Sequence, residues 1–312
     1  MSIKEKVDKA YKGMFGFRLD KQPGLYYFAW QDLKGLHRDD FSFVNRFGET
    51  LRGGFYYTDN YSKKNTLVIF SHGYGGGHIS YIKEIYHIAQ AGFRVLAIDA
   101  AGCVESDGEA LRGFNQQSSD TYDLISYLKS QDEYKNLKLD LVGHSMGGYT
   151  SLNLLNYIDG IHKVVALASP ISVSQIYGNL AYRLIKKESE KLEQEAIPGW
   201  NKYNALDGAK KISATKILCI QSLDDSVIKW KYSGKVFSKV KNPNFEYIWV
   251  DGVDHQTCFT KEAALRLREY LNRLAKCKST EEAIALKESS DWNVICDHDP
   301  KTMSLITDFL KD

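Results

Sequence analysis

The chain has 312 residues, of which 43% are hydrophobic and 26% charged, and its formal net charge is +2. These values are typical of a globular protein, and the balanced charge argues against a dedicated nucleic-acid-binding protein. No apolar run approaches the roughly 20 residues of a membrane span, and the N-terminus lacks the apolar core of a signal peptide. The five cysteines are odd in number and lack C-x-x-C spacing, so we expect reduced thiols and a cytoplasmic protein.

Residues 1–40 are predicted to form an irregular or partly helical lead-in, and two strands at 41–46 and 54–58 to form a hairpin. From residue 66 the pattern is regular, with strands predicted at 66–70, 94–99, 139–143, 163–169, 216–222 and 245–250 and helices at 78–92, 116–130, 229–240 and 260–275. Short Val/Ile/Leu runs that alternate with amphipathic stretches indicate parallel βαβ units. We therefore predict a doubly wound, mostly parallel α/β sheet, with its chemistry in the loops that follow the strands.

The interval between the strands at 163–169 and 216–222 is too long for a single crossover helix. It begins with apolar residues at helical spacing, namely Ile176, Tyr177, Leu180, Leu184 and Ile185, and the charged residues that follow through Glu193 predict a solvated continuation. We interpret residues 171–214 as a helical cap inserted into a core at 41–276, the alternative being an extra helix packed on that core. Residues 277–312 form a helical appendage that either packs on the core or contacts another chain.

The stretch LDLVGHSMGG, residues 139–148, places a G-x-S-x-G pattern between a predicted strand and a predicted helix. This is the nucleophile-elbow pattern, in which a tight, strained turn exposes a serine hydroxyl at the end of a strand. The turn requires small residues two positions away on either side, and these are Gly143 and Gly147. Ser145 is therefore the predicted nucleophile, and the Met146 amide is predicted to point at an oxyanion.

A serine hydroxyl needs a base to accept its proton, and in the elbow class the chain order is Ser, then Asp or Glu, then His. Three histidines follow Ser145. His162 precedes a strand, at the wrong end for the site, and His298 lies in the tail. His255 follows the last predicted strand, where a base would be presented, so we predict His255 as the base.

The strand at 216–222 leads directly into two carboxylates, Asp224 and Asp225. Asp225 fits the acid better, because it stands three residues beyond Ser222, where the turn begins. Asp224 is the alternative, with capping or solvation as its other role. Asp251 and Asp254 flank the base but are poorly placed to approach its far nitrogen.

The glycine-rich loop SHGYGGG, residues 71–77, follows the strand at 66–70. Small residues let a backbone approach a substrate closely, so we predict the Tyr74 amide as the second oxyanion donor beside that of Met146. The glycine spacing does not match the G-x-G-x-x-G fingerprint of a dinucleotide site. The run Cys-Asp-His-Asp at 296–299 is interpreted as a polar loop, because four such residues in a row rarely converge on one metal ion.

These motifs resemble those of the α/β-hydrolase family, especially its monoacylglycerol-lipase-like and serine-aminopeptidase-like branch. The resemblance is carried by the elbow GHSMGG, the SHGYGG loop and the order Ser145–Asp225–His255, and it covers roughly residues 40–275. The segment DAAGCVESDG, residues 99–108, is similar to a family segment that borders the site, but departs from it at Ala101, Cys103 and Val104. The resemblance implies substrate contacts near Cys103.

We expect a serine hydrolase that cleaves a small-molecule carboxylic ester without a metal or an organic cofactor. The apolar cap residues Ile176, Tyr177 and Leu180 are predicted to bind a hydrophobic acyl or alcohol group. The alternatives are a peptidase, amidase or thioesterase of the same fold, or a relative that binds a ligand and turns it over slowly. A peptidase would need an acidic rim, for which Glu188, Glu190, Glu193 and Glu195 are candidates, although a solvated helix face is the favoured interpretation.

Overall fold

A computed structural model describes residues 2–177 and 182–312. Its strands are β1 (Leu36–Val44), β2 (Thr50–Thr58), β3 (Thr66–Ser71), β4 (Arg94–Ile98), β5 (Lys138–His144), β6 (Lys163–Leu167), β7 (Lys216–Ser222) and β8 (Phe245–Val250). Its α-helices are α1 (Ile3–Phe15), α2 (Ile82–Gln90), α3 (Gln116–Ser130), α4 (Met146–Asn153), α5 (Tyr182–Ala196), α6 (Ala205–Lys210), α7 (Gly234–Phe237), α8 (Lys261–Leu274), α9 (Thr280–Glu288), α10 (Trp292–Ile295) and α11 (Pro300–Lys311).

The strands form one sheet in the order β1-β2-β4-β3-β5-β6-β7-β8. β2 is antiparallel to both of its neighbours, and the strands from β4 to β8 run parallel, so the predicted doubly wound architecture is confirmed. The central strands are apolar on both faces because helices cover both sides of the sheet. Their carboxyl ends consequently meet at one edge, where the loops after β3, β5, β7 and β8 lie.

The first hairpin starts earlier than predicted, because Leu36 to Asp40 pair with Thr58 to Gly54. This part of β1 is largely polar, and a polar sequence is tolerated on an edge strand, where one side faces solvent. The predicted helix at 229–240 is reduced to the single turn of α7. The indole of Trp230 packs directly on Gly234, leaving no room for a side chain there, and its nitrogen donates to the Tyr247 hydroxyl at 3.2 Å.

The lead-in at 1–40 is more ordered than its sequence indicated, because α1 packs against the rest of the fold. Ser2 caps α1, and its hydroxyl accepts from the Glu5 amide while the Glu5 carboxylate accepts from the Ser2 amide. Val7, Tyr11 and Phe15 are buried on one face of the helix. This face contacts α5 in the insertion between β6 and β7.

The insertion brings α5 to the residues that precede α3. Glu193 of α5 is fully buried, which corrects the expectation that it belongs to a solvated face or an acidic rim. Its carboxylate accepts from the Tyr11 hydroxyl and the Phe114 amide on one oxygen, and from the amide and side chain of Asn115 on the other. Four donors satisfy the buried carboxylate, so it joins α1, α5 and the start of α3.

The C-terminal tail packs against the core on the same side of the sheet as α2. Met303, Ile306 and Leu310 of α11 are buried there. The ammonium group of Lys163, which is 1% exposed, donates to the carbonyl oxygens of Phe309 and Leu310 at 2.9 Å each. Lys163 therefore caps the C-terminal end of α11, where a positive charge is favoured.

Candidate active site

Ser145 occupies the sharp turn between β5 and α4. Its backbone lies at φ 55° and ψ −114°, in a region that non-glycine residues rarely adopt, and its amide donates to the Leu167 carbonyl at 2.8 Å. A methyl group on Gly143 would overlap the backbone of Gly147, and one on Gly147 would overlap the carbonyl of Ser71. The predicted strained turn between two obligatory glycines is therefore present, and the Ser145 side chain projects from a strained position.

The structure brings the predicted base and acid together. Nδ1 of His255 donates to one carboxylate oxygen of Asp225 at 2.8 Å, and the other oxygen accepts from the amides of Val227 and Ile228 at 2.9 and 2.7 Å. The Asp225 carboxylate is fully buried, whereas the His255 ring is 14% exposed. The acid is thus fixed from both sides, and it orients an imidazole that still reaches the surface.

The loop between β8 and α8, residues 251–260, carries the predicted base His255 and is called the base loop here. It lies directly beside the elbow. The rings of His144 and His255 are 4.8 Å apart, and Nε2 of His144 donates to the His255 carbonyl at 2.8 Å. His144 immediately precedes Ser145. The contact therefore places residue 255 next to the turn that carries the serine.

Two further carboxylates hold the loop after β7, residues 223–233, which carries Asp225 and is called the acid loop, against the base loop. Asp224 accepts from the Ser222 hydroxyl at 2.6 Å and from the amides of Gly252 and Asp254 at 3.0 and 3.3 Å. Burial raises the pKa of Asp224, but these hydrogen bonds outweigh it and lower the pKa overall. Asp254 in turn accepts from the Ser226 amide at 2.8 Å. The sequence carried no sign that these two residues join the loops, because the two loops are distant in the chain.

The loop after β3 is held around Gly73. Its carbonyl accepts from Nδ1 of His72 at 2.6 Å, while Nε2 of His72 accepts from the Ala100 amide at 3.1 Å, which assigns a neutral imidazole. Burial accordingly lowers the pKa of His72. Because the Gly73 carbonyl and the Tyr74 amide belong to one trans peptide, fixing the carbonyl also fixes the opposite direction of that amide.

The side chain of Tyr74 extends away from the loop onto α1. Its hydroxyl donates to the Met14 carbonyl at 2.6 Å, and its ring meets that of Phe15 edge to face at 6.0 Å. The N-terminal helix therefore borders the glycine-rich loop after β3. The sequence carried no signal for this contact.

The predicted substrate-binding residues receive different placements. Cys103 is a correction, because its side chain is fully buried in the core and burial strongly raises the pKa of its thiol. The thiol therefore offers no surface to a substrate, and the backbone of Cys103 forms a bridge with that of Leu19. Ile176 is half-buried and packs against the core. The side chain of Tyr177 and all of Leu180 lie outside the described residues.

The Cys-Asp-His-Asp run at 296–299 is divided between different contacts. Nε2 of His298 lies 3.3 Å from the Glu84 carboxylate, and the Cys296 carbonyl accepts from Lys83. Across 2–177 and 182–312, no group of three or more His, Cys, Asp or Glu side chains is arranged to hold a metal ion. No helix in these ranges is long and apolar enough to cross a membrane.

Comparisons with known proteins agree with this architecture. A family model described as "alpha/beta hydrolase fold" matches residues 66–199. The chain is 23% identical over 222 residues to the uncharacterized protein YfhR of Escherichia coli (strain K12), covering 70% of this chain and 73% of that protein. It is 22% identical over 245 residues to YfhR of Salmonella typhi, covering 74% and 79%.

Solved structures show the same likeness. The Pyrococcus furiosus esterase Pf2001 matches with a TM-score of 0.58 and 22% identity, over 83% of this chain and 99% of that one. Acetyl xylan esterase 1 of Thermoanaerobacterium sp. matches with a TM-score of 0.54 and 17% identity, over 86% and 92%. The sheet topology, the elbow and these likenesses agree on one class: the protein has the α/β-hydrolase fold.

Proposed function

We propose that the protein is a serine hydrolase that cleaves a carboxylic ester through Ser145, His255 and Asp225. The observation that carries the proposal is the hydrogen bond of 2.8 Å between Asp225 and His255. The loop of His255 also contacts His144, which precedes the strained Ser145. An imidazole oriented by a buried carboxylate beside a serine on an elbow is the arrangement that activates a hydroxyl. The esterases among the structural neighbours are consistent with this activity.

The mechanism follows from the donor and acceptor assignments. With the proton of Nδ1 directed at Asp225, Nε2 of His255 is the basic nitrogen and accepts the Ser145 proton as the oxygen attacks the acyl carbon. The amides of Met146 and Tyr74 stabilise the oxyanion. Met146 is the first residue of α4, so its N–H has no partner within the helix. His255 then protonates the leaving alcohol, and water repeats the sequence on the acyl-enzyme.

A groove between the base loop and α8 offers apolar surface next to His255. It has a volume of about 300 Å³, and its lining includes His255 together with Val227, Val253, Leu267 and Leu271. Val227 is 50% exposed and Leu271 44% exposed, so their apolar surface is open to a ligand. Within the proposal, the GHSMGG elbow favours the monoacylglycerol-lipase-like and serine-aminopeptidase-like branch. Esters of graded acyl length test whether the enzyme prefers a long apolar acyl group.

The test combines turnover with covalent labelling. Ser145→Ala should fold like the wild type and lose on the order of 10⁴-fold or more in kcat on a p-nitrophenyl ester. A fluorophosphonate should label the wild-type protein at Ser145 alone. A Ser145→Ala variant that keeps most of the activity would refute the assignment of the nucleophile. Labelling with negligible kcat on every ester would favour a slow-turnover binding protein, and p-nitroanilide and thioester substrates measured in parallel separate the amidase and thioesterase alternatives.

A further inference from the structure

A chain of hydrogen bonds joins the three loops of the candidate site. The Gly73 amide donates to the Tyr81 hydroxyl at 3.1 Å, and that hydroxyl donates to Nδ1 of His144 at 3.0 Å. Nε2 of His144 donates to the His255 carbonyl at 2.8 Å. The chain therefore runs from the glycine-rich loop at 71–77 through the elbow to the base loop. The first of these carries the proposed Tyr74 donor and is called the oxyanion loop.

The direction of every bond in this chain follows from its ends. A carbonyl oxygen only accepts, so Nε2 of His144 must carry the proton, and the neutral ring then accepts at Nδ1. The single hydroxyl proton of Tyr81 is directed at that nitrogen, which leaves its oxygen to accept from Gly73. Burial lowers the pKa of His144 to about 3, with the nearby His255 adding to the effect, and burial raises the pKa of Tyr81. Both groups therefore stay neutral near pH 7.

We propose that Tyr81 and His144 are positioning residues that hold the oxyanion loop and the base loop at fixed distances from Ser145. The inference rests on the proposed function and deepens it. Neither residue is assigned a contact with the substrate. Their role is to connect Gly73 to the loop that carries His255. The peptide group that joins Gly73 to Tyr74 presents the Tyr74 amide.

The packing around Gly73 shows how little freedom the connection leaves. A methyl group on Gly73 would overlap the Tyr81 hydroxyl and lie 3.4 Å from Cβ of Ser145. With His72 on the carbonyl and Tyr81 on the amide, both polar groups of Gly73 are held. Oxyanion donors act only when they are placed at the developing charge, and catalytic groups tolerate about 0.5 Å of displacement. Loss of one restraint should therefore affect kcat more than KM.

Tyr81→Phe isolates the hydroxyl. The Tyr81 ring packs 5.4 Å from that of Phe70 and 5.5 Å from that of His144, and phenylalanine preserves both contacts. We expect kcat per fluorophosphonate-titrated site on p-nitrophenyl butyrate to fall about 10–100-fold, as for outer groups that orient a reactive site, with KM nearly unchanged. The matched control is Tyr86→Phe in α2, the helix that begins directly after Tyr81. The Tyr86 hydroxyl donates to the Lys34 carbonyl at the surface, and its loss should leave kcat unchanged.

Two substitutions of His144 divide its bonds. Asparagine places an oxygen near the position of Nδ1 and keeps the acceptor for Tyr81, whereas glutamine places a nitrogen near Nε2 and keeps the donor for the His255 carbonyl. Each should lower kcat about tenfold, and His144→Ala should lower it more. Because His144→Gln already breaks the bond to Tyr81, adding Tyr81→Phe should cost less in that background than in the wild type.

The outcomes separate this inference from the proposed function. If the wild-type protein shows no Ser145-dependent turnover, both are overturned. If the wild type is active but Tyr81→Phe keeps the kcat of Tyr86→Phe per titrated site, the positioning role alone is refuted. A Tyr81→Phe variant with a lower melting temperature and an unchanged kcat per site also refutes it, because that result describes a purely structural side chain.

Discussion

The buried carboxylate of Glu193 gives a quantitative test of how the insertion is attached. Glu193→Gln keeps the shape of the side chain but replaces one accepting oxygen by an NH₂ group. The oxygen facing Asn115 accepts twice, at 2.9 Å each, and the oxygen facing Tyr11 and Phe114 also accepts twice, at 2.7 and 2.6 Å. Glutamine can therefore satisfy only one of these two pairs of donors.

The less costly arrangement turns the NH₂ group toward Tyr11, whose hydroxyl can rotate to accept, and leaves the Phe114 amide unpaired. The opposite arrangement opposes two donors of Asn115, and that side chain cannot simply turn over, because its oxygen already accepts from the Tyr149 hydroxyl at 2.9 Å. A buried donor without a partner costs about 1–3 kcal/mol, and the remaining bonds lose their charge assistance. Burial disfavours the charged carboxylate and raises the pKa of Glu193. Glutamine carries no charge, so the loss of this penalty offsets part of the cost. We expect a net loss of about 2 kcal/mol in the free energy of unfolding.

The assay is urea denaturation followed by tryptophan fluorescence, with Glu195→Gln as the control. Glu195 is exposed on the same helix and lies 3.6 Å from the Lys191 ammonium, so its substitution should change the free energy of unfolding by less than about 0.5 kcal/mol. Equal stabilities of the two variants would show that Glu193 does not join α1, α5 and the start of α3.

Three further predictions concern the acid, a buried carboxyl and the tail. Asp225→Asn should lower kcat at least 10³-fold on a p-nitrophenyl ester, because the imidazole loses the acceptor that selects its tautomer, whereas Asp224→Asn should mainly loosen the base loop and cost far less. Burial raises the pKa of Asp120 to about 6, from 3.8, so its stabilising contribution is complete below pH 3.8 and is lost as the pH rises through 6. At 1.36 kcal/mol per factor of ten in proton affinity this amounts to about 3 kcal/mol, so Asp120→Asn should flatten the stability profile between about pH 4 and pH 7. Lys163→Met removes two bonds to the last turn of α11, and hydrogen exchange at 300–311 should become faster while the ester kcat is retained.

Each of these has a contrary result. A larger loss of kcat in Asp224→Asn than in Asp225→Asn would show that the acid was assigned to the wrong neighbour. Parallel pH profiles of unfolding for the wild type and Asp120→Asn would place the pKa of Asp120 near its ordinary value. Unchanged exchange in α11 of Lys163→Met, compared with the exposed substitution Lys301→Met as control, would mean that apolar packing alone holds the tail.

Much of the sheet was predictable because its signal is local. The strands at 66–70, 94–99 and 216–222 and the helix at 116–130 follow from the periodicity of apolar residues, and the structure places them within one or two residues of those limits. The elbow was predictable for the same reason, since the glycines on either side of Ser145 are required by the turn itself. The first half of β1 was missed because its polar residues are tolerated only by the edge position that the completed sheet provides.

Residues far apart in the chain explain the rest. Sequence order and the spacing of strand ends were enough to select Ser145, Asp225 and His255 as candidates and to predict an α/β sheet with chemistry at one edge. They gave no means of seeing that Glu193 is buried against α1, that Cys103 faces the core, or that Tyr81 connects two loops. Apolar periodicity records which face of a segment is buried, but a hydrogen bond between side chains 63 residues apart depends on how the segments are packed, and local sequence carries no record of it.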